Sequence, residues 1–389
     1  MTLPLIIAAT SARVLAAAAR PAYLPCTIDL FADRDTCALA ARAVHLIDEG
    51  DFALPGEALL DAVDSLVGDY PQVLGLVYGS GLEGRPALLE ALTRRVRVLG
   101  CNATVLGALA DMPAVVARFD GVGDLVFPPT ARQRPAAAAG WLAKQDGACG
   151  GGHVRDACTP GTIDGATYYQ RYVAGPVYSA IFIAARGACV LCGVTRHLRA
   201  APLAGAPFTW QGAVSVATPP VAPAMLERCG AALAGALGLQ GGFGIDFVAD
   251  AERVTVLDIN PRLPASLEVY ADRAAIFAAH VAACAHDTLL YSRPAMRPVR
   301  ASVVLYAHAA GIVPPRFDWP REVADVPPDG SPIAAGAPLV SVIAEASCGD
   351  TILALLTARC RDLAHRLADR GAAVLASDIT ISTVGGCDV

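Results

Sequence analysis

The stretch GGFGIDFVADAERVTVLDINPR, residues 241–262, restricts the fold more than any other part of the chain. Two apolar runs flank the polar turn ADAER, which is the pattern of a β-hairpin. With the turn centred on Glu252, Asp246 falls opposite Asp258, each six residues from the centre. Side chains alternate with period two, so Asn260 shares a face with Asp258. Directly opposed residues have Cβ atoms about 4.5–5.5 Å apart, and like charges there repel. Both aspartates also sit inside apolar runs, where an unpaired carboxylate is costly. A divalent cation resolves both problems. Two carboxylates and an amide oxygen are hard ligands of the kind Mg2+ accepts, with phosphates and water completing the octahedron. Arg262, just past Pro261, carries a planar fork suited to the same phosphates. The alternative is a register that leaves one aspartate simply solvated.

The segment WLAKQDGACGGGH, residues 141–153, holds the only lysine of the chain, Lys144, while the other 29 of its 30 Lys+Arg residues are arginine. Lys144 ends a short strand, and a loop with glycines at 147, 150, 151 and 152 follows. Such a loop brings backbone N–H groups close to an anion. The lysine precedes the glycines, so the P-loop spacing is not met. A glycine flap joining antiparallel strands, with Lys144 at its base and His153 at its far end, suits phosphates covered from above. An incidental surface turn is the competing reading.

Ahead of these segments, residues 1–111 alternate strand and helix signals, the pattern of a parallel α/β layer. Leu5–Ala9 reads as a strand running into a helix capped by Ser11. Ligand sites in such layers gather at the carboxyl ends of strands. Ser11, Asp33, Ser80 and Glu83 fall there, with plain turn or cap roles as the alternative. Residues 112–140 read mostly as loop. The runs GWLAKQ, TYYQRYVAG, VYSAIFIAA and CVLCGVTR suggest an antiparallel sheet. Helices are expected near 221–237, 272–285 and 349–370, and β structure from 299 onward. The expected division is 1–111, 112–290 and 291–389, and 389 residues suit two or three domains. Cys189 and Cys192 have metal or redox spacing, but no second pair follows and the surroundings read as a buried strand.

A net charge of −6 without a basic stripe argues against nucleic acid as the main partner. No uninterrupted run of eighteen apolar residues is present, so no membrane span is expected, and the cytoplasm is the expected compartment. No Ser-His-Asp or Cys-His arrangement stands out.

A strand-terminal lysine, a glycine flap, YYQRYVAG, the acidic strand GIDF and then LDINPR, in this order, resemble the ATP-grasp superfamily. The resemblance implies an α/β and α+β chain: a parallel α/β domain, the ATP-grasp region, and a β-rich and helical C-terminal segment completing it. It implies ATP on Lys144 and the flap glycines Gly150, Gly151 and Gly152. The adenine would lie in a hinge formed by Gln170, Arg171, Tyr172 and Val173. Mg2+ would bind Asp246, Asp258 and Asn260, with Arg262 and Lys144 acting on the transferring phosphate. The family's earlier nucleotide lysine has no counterpart, so either an arginine such as Arg118 or Arg132 substitutes or the contact is lost. Gln170 stands where the family often has glutamate, and no ribose carboxylate follows VAGPVYS.

The longer stretch INPRLPASLEVY is similar to ATP-grasp proteins of methylotroph tetrahydromethanopterin-linked one-carbon metabolism, and more loosely to the tyramine–glutamate ligases of methanofuran synthesis. ADVPPDGSPIAAGAPLVSVIAE fits the same subgroup. The implied activity is ATP-dependent carboxylate–amine ligation through an acylphosphate, in one-carbon cofactor biosynthesis. Ser266 and Glu268 become candidate substrate contacts, with helix packing as their alternative. The implied partners are a small acid and a small amine, and oligomerisation stays open. Carboxylation, another phosphoryl acceptor and non-catalytic nucleotide binding are the other readings.

Overall fold

A computed structural model describes residues 2–47, 52–121, 123–159, 166–200, 203, 206–250, 252–294, 298–347 and 349–385. The chain opens with β1 (Pro4–Ala8), α1 (Arg13–Ala19), β2 (Leu24–Asp29), α2 (Arg34–Leu39), β3 (Arg42–His45), α3 (Gly56–Asp69), β4 (Leu76–Tyr78) and α4 (Pro86–Thr93). The four strands form a sheet of order β3-β2-β1-β4, and every pair is parallel. Leu5 and Ile7 join one apolar cluster, while Ile6 and Ala8 join another. Coverage of both faces explains why this strand is an unbroken apolar run.

The loops leaving β1, β2 and β4 carry Ser11, Asp33 and Glu83, at the edge where ligands were expected. Ser11, however, is not the cap of α1. The cap position is Ala12, without a side-chain bond, and Ser11 Oγ donates to Asp325 Oδ1 at 3.4 Å. Asp29 Oδ2 already accepts the Ala12 N–H, at 3.2 Å, so the charged acceptor from the far end of the chain claims the hydroxyl.

Residues 103–118 form α5 (Ala103–Leu109), capped by Asn102, and α6 (Met112–Arg118), capped by Asp111. The second replaces part of the expected loop, because its aspartate cap and its Pro113 in the first turn favour a helix start. Next come β5 (Leu125–Val126), β6 (Thr130–Ala131), β7 (Trp141–Gln145), β8 (Arg155–Asp156) and β9 (Thr167–Arg171). Then follow β10 (Tyr178–Ala185), β11 (Ala188–Arg199), β12 (Gly212–Ser215), α7 (Pro223–Leu237), β13 (Gly241–Ala249) and β14 (Val254–Asn260).

The four β-rich runs expected to share one antiparallel sheet are divided between two. β7 and β9 lie in a four-stranded sheet of order β6-β9-β7-β8. β10 and β11 belong to a ten-stranded sheet in which β12, β11, β10, β13, β14 and β5 are successive neighbours. The division falls in the Gly-Pro link at 175–176, where Gly175 takes φ +134°. Cys189 packs with one apolar cluster and Cys192 with the other, on opposite faces of β11, so the pair does not converge on one metal ion.

Strands Val299–Tyr306, Pro338–Ala346 and Val323–Ala324 extend the large sheet beyond β12. A 3-10 turn, Ala265–Val269, and α8 (Arg273–His286) follow the hairpin, and α9 (Gly349–Asp369) covers the C-terminal strands. No helix among the described residues is long and apolar enough to cross a membrane.

His280 pins α8 to the start of the acidic hairpin. Its Nδ1 accepts the Gly242 N–H at 2.7 Å, so the ring proton sits on Nε2, which donates to Leu99 O at 3.1 Å. Burial holds the imidazole down to about 4. The unfolded chain takes up this proton near pH ~6.5 and the native state resists it. The neutral ring's contribution is therefore whole above about pH 6.5 and lost as pH falls to about 4, to the extent of roughly 3 kcal/mol. Urea unfolding across that window should show the decline, and it should be shallower in His280→Gln.

Candidate active site

The hairpin register places Asp246 opposite Asp258 and Gly244 opposite Asn260. The outer pair Ala249↔Val254 centres the turn at 251.5 rather than on Glu252. A β-bulge restores the pairing: Phe247 faces Val256, Asp246 faces Asp258, and Leu257 has no partner. Val254 and Val256 are buried in the core, and so is Ile259, whose number has the opposite parity. The bulge therefore absorbs Leu257, and the strand's alternation continues as if that residue were absent. Without it, Asp258 and Asn260 would face the core with the valines.

Asp246 is held by its neighbours on the adjoining strands. Ser179 Oγ bonds Asp246 Oδ1 and lies 2.6 Å from His197 Nε2, which is itself 3.5 Å from Asp246 Oδ1. Serine, histidine and aspartate thus do meet, which sequence reading did not anticipate. The hydroxyl, however, stands between imidazole and carboxylate, whereas a nucleophilic triad needs the imidazole in the middle. Burial works to raise the Asp246 carboxyl, but His197, Ser179 and Arg262 outweigh it and hold it below its ordinary value. Burial raises Asp258, and the Asp246 charge adds to this against the pull of Lys144. One oxygen of Asp258 accepts the Ile259 N–H at 3.0 Å. The carboxylate makes no ion pair within 4 Å among the described residues, which leaves its other oxygen for a cation.

Lys144 is only 8% exposed. Its Nζ donates to Gln170 Oε1 and to Leu257 O, each at 3.2 Å, and lies 5.7 Å from the centre of the Tyr168 ring. Gln170 Nε2 donates to the same Leu257 carbonyl at 3.2 Å. The bulge thus supplies the acceptor that fixes both side chains. Burial opposes the ammonium, but Tyr168, Asp258 and Asp246 keep its pKa above the ordinary lysine value. A guanidinium is broader than the ammonium these partners hold and carries its donors in a rigid fork. Lys144→Arg should therefore raise KM for ATP by about tenfold despite the conserved charge, as read from ADP formation.

The flap between β7 and β8 is folded down onto two other loops. Gly147, at φ +63°, lies against Gly84 so closely that a Cβ on either would strike the other's backbone. At the tip, Gly150 O accepts the Trp210 N–H at 2.9 Å, and a Cβ on Gly151 would strike Phe208 O. Arg132 braces the flap's base by bonding Asp146 and Asp111 Oδ1. It is thereby committed to two carboxylates, and Arg118 is exposed at the end of α6.

Arg262 is 7% exposed and its Nε donates to Glu83 Oε1 at 2.6 Å, while Nη2 donates to Asn260 Oδ1 at 3.1 Å. The other Glu83 oxygen accepts the N–H groups of Gly81 and Leu82, at 2.7 and 3.0 Å. The loop after β4 is in this way tied to the end of β14. Position alone had marked Glu83, but nothing in its neighbourhood of the sequence announced Arg262 as its partner.

One cleft is lined by Lys144, Asp258 and Asn260 together with Glu83, His153 and Tyr168. His153 Nδ1 is buried there without a partner, and burial with the Lys144 charge lowers its pKa to about 4. Asp246 and Arg262 are outside this lining, but with Asp246 opposite Asp258 in the ladder the donor set suits Mg2+ with a phosphate: two carboxylates in register, an amide oxygen with a second lone pair, a fixed ammonium and an unfilled ring nitrogen. Of the hinge, Gln170 is buried behind Lys144. The Arg171 and Tyr172 N–H groups are taken up by Pro129 O and Gly140 O, both at 2.9 Å, and Val173 is half-buried. Gly150, Gly151 and Gly152 lie at the flap tip, away from this lining. Ser266 and Glu268 also stand apart from it, buried in the 3-10 turn, where Glu268 Oε2 pairs with Arg13 Nη1 at 2.7 Å.

Residues 119–266 match the family model of an ATP-grasp domain. No curated protein matches the chain. Among solved structures, it is similar to the Campylobacter jejuni biotin carboxylase in complex with β,γ-ATP, with TM-score 0.65 and 13% identity over 97% of this chain and 92% of that one. The biotin carboxylase domain of Hydrogenobacter thermophilus 2-oxoglutarate carboxylase, solved as a dimer with MgADP, ADP and bicarbonate, gives 0.65 and 11% over 97% and 91%. An L-amino acid ligase from Bacillus licheniformis gives 0.61 and 12% over 95% and 98%. At these identities the likeness is one of fold.

Proposed function

On this ATP-grasp fold we propose that the protein is an ATP- and Mg2+-dependent carboxylate–amine ligase. The reading rests on one observation above all: the Asp246–Asp258 pair faces a buried lysine beneath a closed glycine flap. Asp258, Asp246 and Asn260 would hold the metal, which when bound neutralises phosphate charge. Lys144 and Arg262 would steady the phosphoryl oxygens, each already fixed by its own hydrogen bonds and so needing little reorganisation. The flap, seated on Gly84 and residues 208–210, would keep water from a hydrolysable acylphosphate. An adenine in the hinge would meet Val173, since the Arg171 and Tyr172 donors are engaged.

In the reaction, a substrate carboxylate oxygen bonds the γ-phosphorus as ADP leaves. The amine then bonds the acyl carbon as phosphate leaves, and the amine's surplus proton passes to solvent. None of this calls for a protein nucleophile. The similarity of INPRLPASLEVY to one-carbon cofactor ligases supports a product of the methanofuran or tetrahydromethanopterin type.

ADP and phosphate release from MgATP, across a matrix of small acids and amines, tests the proposal. Release that requires one acid and one amine together, with a new amide by mass spectrometry, is the expected result. Release dependent on bicarbonate would replace ligation by carboxylation. MgATP binding without release under any pairing would leave a binding protein.

A further inference from the structure

His153 stands where the flap returns to β8, and the backbone sets its place from both sides. Val154 N donates to Gly151 O at 3.1 Å, closing the turn around the histidine, and Val154 is itself buried. Arg155 pairs with Ala143, the residue before Lys144, so Lys144 and His153 belong to opposite stems of one flap. Both line the cleft that also holds Asp258 and Asn260.

The Nδ1 atom of His153 is enclosed there and makes no hydrogen bond. A buried polar atom left unpaired costs about 1–3 kcal/mol, so one that faces a cleft marks a place where a ligand bonds. Its neighbours are already committed. Lys144 is itself a donor, held by Gln170 and Leu257, and Glu83 is held by Arg262 and the Gly81 and Leu82 N–H groups. The Cys149 backbone lies near enough to favour a charged ring, yet Nδ1 completes no bond to it.

A metal ion does not fill the position. No three His, Cys, Asp or Glu side chains among the described residues converge at metal-ligand spacing, so His153 is not a third ligand beside Asp246 and Asp258. Imidazole nitrogen is also a softer ligand than Mg2+ selects. An oxyanion does fill it, since it accepts hydrogen bonds from several sides at once. The hinge residues Arg171, Tyr172 and Val173 do not line this cleft, whereas Glu83 and Asn260, the two side chains bonded to Arg262, do. What reaches His153 is therefore the phosphate end of a nucleotide and not its base.

We propose that His153 contacts the substrate directly, donating a hydrogen bond from Nδ1 to the terminal phosphoryl group of ATP. This rests on the nucleotide site of the ligase reading above. With Lys144 on one stem and His153 on the other, the flap grips the group that is to be transferred. Its seating on Gly84 and Trp210 holds both side chains in place before the nucleotide arrives, so little reorganisation is needed. The contact also separates ATP from ADP, because only the triphosphate reaches it.

Asparagine and glutamine tell the two ring nitrogens apart. The amide nitrogen of asparagine falls where Nδ1 is, and that of glutamine where Nε2 is. MgATP and MgADP are titrated calorimetrically, without acid or amine, into the wild type and into His153→Asn, His153→Gln and His153→Ala. The glutamine and alanine variants should bind MgATP about tenfold more weakly, the asparagine variant should stay within about twofold of the wild type, and MgADP should bind all four alike. Unchanged MgATP affinity in His153→Ala overturns the proposal, as does a loss in His153→Asn as large as in His153→Ala, or an equal loss for MgADP. If one variant does not fold by circular dichroism, the other two decide: asparagine must bind MgATP more tightly than either, and glutamine no more tightly than alanine. Amide formation by the wild type, with MgATP affinity indifferent to residue 153, sinks this contact only. The expected order of variants without an amide from any pairing of acid and amine sinks ligation only, and a wild type that binds no MgATP sinks both.

Discussion

Asp258→Ala is expected to lower MgATP-dependent ADP formation by more than about 10²-fold without lowering the urea midpoint. The two expectations come from the same geometry. Asp258 has an oxygen free for a cation, and nothing else on the hairpin can replace it opposite Asp246. In the metal-free protein the same carboxylate is a burden, half-buried and facing another negative group across the ladder. Removing it relieves that repulsion, which offsets the loss of the attraction to Lys144 and of the Ile259 N–H bond. The proton competes with the metal as well. Burial and Asp246 raise the Asp258 pKa, so Mg2+ affinity should weaken as pH falls toward that raised value. Undiminished turnover in the variant would remove the metal from this hairpin.

Glu83→Gln should destabilise the protein by about 3–5 kcal/mol, because it removes the carboxylate paired directly with the buried Arg262 guanidinium and leaves it only the more distant Asp246 charge. Both partners are less than a tenth exposed, so solvent screening does little to soften the loss. The amide can still accept one bond from the Gly81 or Leu82 N–H, so the loop after β4 keeps part of its shape. The charge itself is what disappears. Urea unfolding measures the change, and the double variant Glu83→Gln/Arg262→Met should recover a good part of it, since an apolar side chain needs no partner there. A loss under about 1 kcal/mol in the single variant would show that Arg262 reaches water and is not locked as described.

The hairpin was legible because two acids spaced evenly about a polar turn are hard to place otherwise. Its detail was not. The turn centre lies at 251.5, and only the bulge at Leu257 makes the expected pairing of Asp246 with Asp258 come true. A bulge has no single residue signature, so counting from the turn reached the right pair by the wrong path. Lys144 stood out by being the only lysine, yet its enclosure by Gln170, Leu257 and Tyr168 depends on three strands meeting. Glu83–Arg262 and Ser179–His197–Asp246 join residues far apart in the chain, where local pattern carries no information. The cap at Ser11 failed for the same reason, since Asp325 arrives from more than three hundred residues away. Helix α3, whose buried Leu59, Ala62, Val63 and Leu66 follow helical spacing, was readable from periodicity but passed without notice.

The bulge at Leu257 separates two kinds of constraint that usually travel together. The site takes from this residue a backbone carbonyl, the acceptor for both Lys144 and Gln170, and the half-buried side chain makes none of those bonds. Drift in the identity of residue 257 should therefore leave the chemistry largely alone, whereas a change in the number of residues between Asp246 and Asp258 would not. What selection would police here is length, counted in peptide units, rather than spelling.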